Sequence, residues 1–593
     1  MSLEYSAPIR DLRFVLENLC DLEELSSHDG FEDANSEMVA TILEEAGKFA
    51  SNELAPLNQT GDIQGARLID NKVVLPEGFE DAYRQFSENG WSTIGAPTEY
   101  GGQGLPKVVA GAVKELWLAS NTAFALCPLL TEGAVDALHQ HGSEKLQVVY
   151  LPKLISGEWT GTMNLTEPQA GSDLSNIRTK AVPEGDHYRI TGQKIFITWG
   201  DHEASENIIH LVLARLQDAP EGTRGISLFL VPKYIVDNDG SLGDRNDVKA
   251  VSVEHKLGIH ASPTCVMSFG DHEGAIGYLV GEENKGLACM FSMMNAARLS
   301  VGVQGVAIGD RAYQAAVEYA RERIQGSSPN SNEPQSIINH GDVQRMLMKM
   351  RALTEAGRAF ALLAISAGDR AEMARNEEKR AHCQARIDLF TPIVKGWASE
   401  NCQDIASLGI QVRGGMGYIE ETGVAQYLRD ARITTIYEGT TGIQALDLVG
   451  RKTQFDKGAA TNSLLNDMRK TAKTLTAFDK LSSLSVKFHN CIESAEAGLN
   501  AILQNGNDPS TLNAIAVPYL QLLGTTCGAW MMCKSAVAAQ KHLNNDKGNP
   551  AFYEMKIATT QFYFEHIAPH TSGYLSTVQA ENHSLADIKV SNF

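Results

Sequence analysis

The chain has 593 residues, more than one hydrophobic core supports, since single cores stop growing at roughly 250–300 residues. Its make-up, 43% apolar and 21% charged, is that of a folded protein in water, and no run approaches the ~18 consecutive apolar residues of a transmembrane helix. With 51 Lys and Arg against 72 Asp and Glu, the net charge of −21 repels nucleic acid and anionic lipid, so neither is expected as a partner.

The opening MSLEYSAPIRDLRF lacks both the basic-then-apolar pattern of a signal peptide and the Arg/Ser richness of a transit peptide, so a cytoplasmic location is expected. Residues 1–35 read as a mixed extension with an acidic stretch at Asp21–Glu24. From Ser36 the apolar positions recur every three or four residues, as in MVATILEEAGKFASNELAPL and VVAGAVKELWLASNTAFALCPLL, which predicts a helical domain over 36–157. GAPTEYGGQGLP between them reads as a loop. At Glu158 the pattern changes. HYRITGQKIFIT, NIIHLVLARL, GISLFLVPKY and TCVMSFGD are short, β-branched or aromatic, and divided by Gly, Asp, Asn and Pro, which predicts an all-β domain over 158–275.

The helical period returns at Lys285 and fills 280–452, broken by the Gly-rich turn RGGMGYIEETG. Gly302, Gly305 and Gly309 are spaced to share one helix face. Each costs a helix about 1 kcal/mol, which close approach of a neighbour or ligand would explain. A polar stretch, KTQFDKGAAT, reads as a linker to an additional helical domain over 461–593. The expected fold is mainly α with a central all-β domain.

The nine cysteines are scattered and never spaced C-x-x-C, so buried free thiols are expected rather than disulfides or a zinc site. The sequence has no G-x-G-x-x-G, P-loop, H-E-x-x-H or G-x-S-x-G motif. No metal site is expected, and His202/Glu203 and His272/Glu273 read as loop residues.

Three segments in register carry a family resemblance. MNLTEPQAGSDLSNIRT (163–179) resembles T-E-P-x-A-G-S-D, GQKIFITWG (192–200) resembles G-x-K-x-[WF]-I-[TS], and YLRDARITTIYEGTTGIQ (427–444) resembles R-D-x-[RK]-I-x-x-I-Y-E-G-T. KLGIHASPT, YARERIQG and QVRGGMGY support them, and the match spans about 36–452. The chain resembles the acyl-CoA dehydrogenases, which implies a helical domain, a β-barrel or sandwich, a helical bundle, and FAD as cofactor. The resemblance makes Glu438 the base that removes the α-proton of an acyl-CoA thioester, with its backbone N–H holding the thioester oxygen. Gly439 would let the thioester pass close to the backbone. Chemically this is reasonable, because an α-proton leaves only when a base is beside it and the enolate oxygen is stabilised. Outside the motif, a Glu before Gly-Thr is an ordinary helix-start residue.

By the same resemblance Met163, Leu165, Thr166, Ser172, Phe196, Ile197 and Thr198 contact the flavin, Ser172 also reaching the CoA pyrophosphate. Phe196 stands where many relatives have Trp; the aromatic face remains and the indole N–H is lost. Arg323 and Gln325 match positions that reach the FAD pyrophosphate of a neighbouring subunit. Gln411, Arg413, Gly414 and Gly415, with Thr440 and Gly442, match the loop that cradles it. A homodimer follows as the expected assembly. Asn295 and Arg298 match contacts to the CoA nucleotide.

The extended ends resemble the long dehydrogenases of dimethylsulfoniopropionate breakdown, so a short or medium acyl-CoA is the expected substrate and electron-transferring flavoprotein the expected acceptor. An acyl-CoA oxidase, which returns electrons to oxygen, shares the base and the flavin; the rate of reoxidation in air separates the two. A non-enzymatic DNA-associated homologue is opposed by the charge, and a salt-dependent gel shift tests it.

Overall fold

A computed structural model describes every residue except 1–3, 29, 238, 328–332, 547, 582–584, 586 and 587, and residue 292 by its backbone only. The chain divides into two compact units. One comprises residues 45–106 and 116–300, the other residues 1–44, 107–115 and 301–593.

In the unit of 45–106 and 116–300, helices cover a β-structure. The helix Thr122–His141 is capped by the Asn121 side chain, which accepts from the Phe124 N–H at 3.1 Å, and nearly all of it is buried. Phe49, Phe86, Trp91, Trp117 and Phe124 meet edge-on or tilted beside it. The same helix packs so tightly on the strand Trp159–Asn164 that a Cβ on Gly161 would lie 2.5 Å from that of Ala134.

The main sheet runs in the order Val248–Val253, Thr264–Phe269, His187–Thr198, Ala275–Val280, Ile226–Pro232, Asn207–Leu216, Trp159–Asn164. Lys180–Glu184 pairs with both His187–Thr198 and Asn207–Leu216, so five strands close on themselves as a barrel. Closure leaves no open edge there. Every residue of Ile226–Pro232 is buried, as its unbroken apolar run requires. Ile190, Ile197, Val212, Phe229, Met267 and Phe269 fill the interior.

The other unit is helical. From Val301 the helix Gly286–Glu322 packs on Glu377–Arg413 through the three glycines noted above. A Cβ on Gly302 would meet Val394 Cγ1 at 2.4 Å and one on Gly305 the Ala398 carbonyl at 2.7 Å, while Gly309 faces Ile405. Their role is helix–helix approach. Gly341–Met373 lies alongside, and the added helix Pro509–Asn544 brings Gly524 and Gly528 onto the faces of the buried Trp397. The additional segment therefore covers the bundle helix that carries Trp397.

Two stretches differ from expectation. The mixed extension contains the helix Ile9–Asn18 and a short turn of helix at Leu22–Ser26. Phe14 packs edge-on against Phe552 at 5.6 Å, and Asp11 is buried between Arg358, at 2.5 Å, and Lys556. Arg358 also pairs with Glu115 and Asp310, and Lys556 with Glu355. The carboxyl-rich extension forms because these cations wait for it, a signal that lies hundreds of residues away. The KTQFDKGAAT stretch is folded: a wide helical turn spans Gly450–Gln454 with Thr453 buried, and helix resumes at Ala459. All nine cysteines are buried and unpaired.

Candidate active site

Glu438 sits in a loop that local hydrogen bonds assemble step by step. The helix Val424–Ala431 tightens into the turn Arg432–Thr435, where the Thr434 hydroxyl donates to the Ala431 carbonyl at 2.7 Å. The next helix, Thr441–Val449, starts at Thr440, whose hydroxyl oxygen accepts from the Ile443 N–H at 3.3 Å. Between them Glu438 and Gly439 both take left-handed backbone, φ 54° and 89°. For a glutamate that conformation is uncommon and costs about 1–3 kcal/mol, which surrounding contacts must offset. A Cβ at 439 would lie 2.7 Å from Gln444 Nε2 and 3.3 Å from Ile443 Cγ2, so only glycine fits.

The offsetting contacts come from two residues that motif reading passed over. Gln444, fully buried, donates through Nε2 to the carbonyls of Glu438 and Gly439, each at 3.2 Å. Lys395, with 0% exposure, donates to the Gly439 carbonyl at 2.7 Å. Thr441 donates to Glu400 at 2.5 Å, and the Tyr437 hydroxyl donates to Gln304. Burial, aided by the Glu438 carboxylate, pushes the Tyr437 phenol upward, so it remains protonated. A charged residue in the middle of an apolar helix segment, TPIVKGW, was the available sign of Lys395.

The Gly-rich turn nearby in sequence is open. Gly414 has φ 59° and ψ −139°, a glycine-only region, and a Cβ on Gly414 or Gly415 would meet nothing within 4 Å. Arg413 stacks its guanidinium over Tyr319 at 5.2 Å and donates to the Ala315 carbonyl at 3.1 Å, but its buried Nε has no partner among the described residues. Gln411 is exposed, and Thr440 and Gly442 are half-buried. Arg323 and Gln325 are exposed and 3.5 Å apart, with no carboxylate near Arg323 among the described residues.

In the other unit the first two motifs are tied together by Glu167, only 3% exposed. It accepts from Lys194 Nζ at 2.8 Å, the Thr179 hydroxyl at 2.6 Å, the Arg178 and Thr179 N–H groups at 2.6 and 3.0 Å, and Gln169 at 2.7 Å. Burial alone would raise this carboxyl; the Lys194 ammonium and the hydrogen bonds outweigh it and hold it at about 2. Burial draws Lys194 down to about 8, still charged at neutral pH. Lys194 also donates to the Leu165 carbonyl at 3.0 Å, and the Ile195 N–H to the Thr166 carbonyl at 2.9 Å.

Next to Lys194 the pairing with Thr264–Phe269 shifts register between Cys265 and Met267. Phe196, in the bulge, has φ 59° and is 59% exposed, so the irregularity turns an aromatic ring outward. Ile197 points into the barrel core, leaving only its backbone for a ligand, while Thr198 is half-buried opposite Thr264. Met163, Leu165 and Thr166 are half-buried and Ser172 is exposed. Asn295 is exposed; one turn on, Arg298 is buried and donates to it at 3.3 Å, so Arg298 is no solvated surface charge.

Comparison with known proteins agrees with this arrangement. Residues 36–158, 162–272 and 284–452 match the N-terminal, middle and C-terminal domains of acyl-CoA dehydrogenases. The chain belongs to the acyl-CoA dehydrogenase family. Residues 464–589 match the acetyl-CoA dehydrogenase C-terminal-like domain. The chain is 47% identical to 3-methylmercaptopropionyl-CoA dehydrogenase of Ruegeria pomeroyi, over 98% of this chain and 99% of that one. It is 33% identical to a butyryl-CoA dehydrogenase of Syntrophomonas wolfei, over 98% of each. A crystal structure of an acyl-CoA dehydrogenase from Bacillus anthracis complexed with FAD shares the fold, with TM-score 0.74 and 22% identity over 94% of this chain and 90% of that one.

The residues present fit a flavin dinucleotide. In one unit an aromatic ring is presented at a strained bulge. In the other a glycine turn leaves room for phosphate against backbone N–H groups, and the half-buried Arg413 keeps a buried Nε with no partner among the described residues.

Proposed function

We propose that the chain dehydrogenates a short acyl-CoA thioester between Cα and Cβ, with 3-methylmercaptopropionyl-CoA as the preferred substrate. Glu438 takes the α-proton on its carboxylate while its backbone N–H holds the thioester oxygen, and Gly439 leaves space for the thioester. Thr166, Phe196 and Thr198 would hold the isoalloxazine, and Arg413, Gly414, Gly415 and Thr440 the pyrophosphate of FAD. FAD, when bound, accepts the β-hydride. Ser172, Asn295 and Arg298 would meet the CoA. The protein works as a homodimer, Arg323 and Gln325 serving the neighbouring subunit's cofactor, and electron-transferring flavoprotein takes the electrons onward.

The observation that carries the reading is Glu438 itself, a carboxylate kept in costly left-handed backbone by buried donors. Strain of this kind persists where function needs it. The identity of 47% over nearly the whole of both chains supports the substrate. The test is turnover of purified protein with ferrocenium as acceptor across 3-methylmercaptopropionyl-, propionyl-, butyryl- and octanoyl-CoA. The sulfur-bearing thioester should give the highest kcat/KM, and a clear preference for octanoyl-CoA would refute that choice. Rapid reoxidation of the reduced protein in air would replace the dehydrogenase reading with that of an oxidase.

A further inference from the structure

We propose that Lys395 is a positioning residue for the base, holding the Glu438 loop from beneath with Gln444; the inference rests on the assignment of Glu438. Two consecutive left-handed residues turn both of their carbonyls toward buried donors. Gln444 reaches both at 3.2 Å, and Lys395 reaches the second at 2.7 Å. A neutral donor would satisfy that carbonyl. A fully buried ammonium in the same place is costly unless its charge is used.

Lys395 bonds the carbonyl of Gly439, the residue after Glu438, so its charge acts on the Glu438 carboxylate as well as on the backbone. A nearby cation favours the ionised carboxylate, the form that can accept a proton. Lys395 thus has two effects, one on aim and one on charge. Gln444 shares only the first. The other titratable groups around the loop are Glu400, which accepts from Thr441, and Tyr437, together with Asp430 and Cys402, which bear on Tyr437. All four oppose ionisation of a neighbouring carboxylate when charged. Of the described cations nearby, Arg432 of the preceding turn is exposed and donates to Thr435, whereas Lys395 is buried and bonded to the main chain next to the base.

The test compares holoenzyme variants in single-turnover flavin reduction across pH. Lys395→Met should lower the rate of flavin reduction about 100-fold, the order expected for a misplaced reacting group, with acyl-CoA binding within threefold of wild type. Its acidic limb should move to higher pH, because loss of a neighbouring cation raises the carboxyl pKa. Gln444→Met should lower the rate without moving that limb. If Lys395→Met is not recovered folded, Lys395→Gln, which keeps a donor and loses the charge, should move the limb alone. A Lys395 variant with wild-type rate and an unmoved limb overturns the proposal. Glu438→Gln separates the two ideas: if that variant remains active the base is misassigned, whereas an inactive Glu438→Gln beside a fully active Lys395→Met rejects Lys395 only.

Discussion

The Glu438 loop and the Phe196 bulge, one in each unit, are built from the same parts. Each has a non-glycine residue in left-handed backbone and a buried lysine donating to a main-chain carbonyl close by, Lys395 to Gly439 and Lys194 to Leu165. They differ in what the lysine's charge does. Lys194 has its own carboxylate, Glu167, saturated by five donors and held at about 2, so that pair is permanently ionised and serves the architecture. At the other site the neighbouring carboxylate is the proposed base and must change its protonation in each turnover. One device thus gives rigidity where the carboxylate is inert and tuning where it reacts.

The largest effect should come from the reactive side. Glu438→Gln keeps the shape of the side chain and removes the base, so kcat should fall by at least the ~10²–10⁴-fold attributed to general-base terms. Melting temperature and flavin spectrum should stay near wild type. More than a tenth of wild-type activity would show that the two lysine sites are not divided as argued.

Glu167→Gln should do the reverse. It leaves the Lys194 charge buried without its partner, a change that typically costs about 3–5 kcal/mol, so urea unfolding should register a large loss. The pH dependence sharpens this. A carboxyl at about 2 when folded and near 4.5 when unfolded contributes stability that is present above pH 4.5 and lost as pH falls toward 2. His202 and His210, each drawn to about 3 by burial and then by the charge of Lys233, stay neutral in the fold and weaken it below pH 6.5. Wild type should therefore lose stability in two overlapping stages. Glu167→Gln should show a smaller lower one, to which Asp11, held low by Lys556 and Arg358 against its burial, still contributes.

Arg323→Ala tests a residue outside both lysine sites. Charge-assisted hydrogen bonds are worth roughly 1.5–3 kcal/mol, so FAD affinity should drop tenfold or more and the dimer should weaken with it in sedimentation. Full FAD retention through gel filtration would remove the cross-subunit role.

How legible these sites were depends on distance along the chain. The strand HYRITGQKIFIT, the helix restart near Lys285 and the glycine face at 302, 305 and 309 follow from local period and could be read directly. Glu167 and Lys194 lay inside the quoted motifs, yet reading for flavin contacts passed over them. The sign was a lysine at an inward position, in phase with Ile190. Gln444 also lay inside a quoted motif; Lys395 was harder, because a buried cation is recognisable only once the carbonyl it bonds, 44 residues on, is placed. The extension helix Ile9–Asn18 carries a local apolar period at Ile9, Leu12, Val15 and Leu16, but the burial of Asp11 within it depends on Lys556 and Arg358, which local reading does not reach.

The smallest effect expected is also the most discriminating for the bulge. Phe196 is 59% exposed with φ 59°, so replacing it by glycine removes little packing and relieves about 1–2 kcal/mol of left-handed strain. Glycine's greater freedom in the unfolded chain offsets roughly 0.5–1 kcal/mol of that. The flavin-free Phe196→Gly protein should therefore unfold at the same urea concentration as wild type or slightly higher. Its FAD affinity should fall severalfold, as expected when an aromatic stacking contact worth about 0.5–1.5 kcal/mol is lost. The opposite signs are the point: a residue kept for packing loses stability when removed, and one kept to meet a ligand does not. If flavin-free Phe196→Gly is destabilised by more than about 1 kcal/mol, the ring is structural and the bulge is no counterpart of the Glu438 loop.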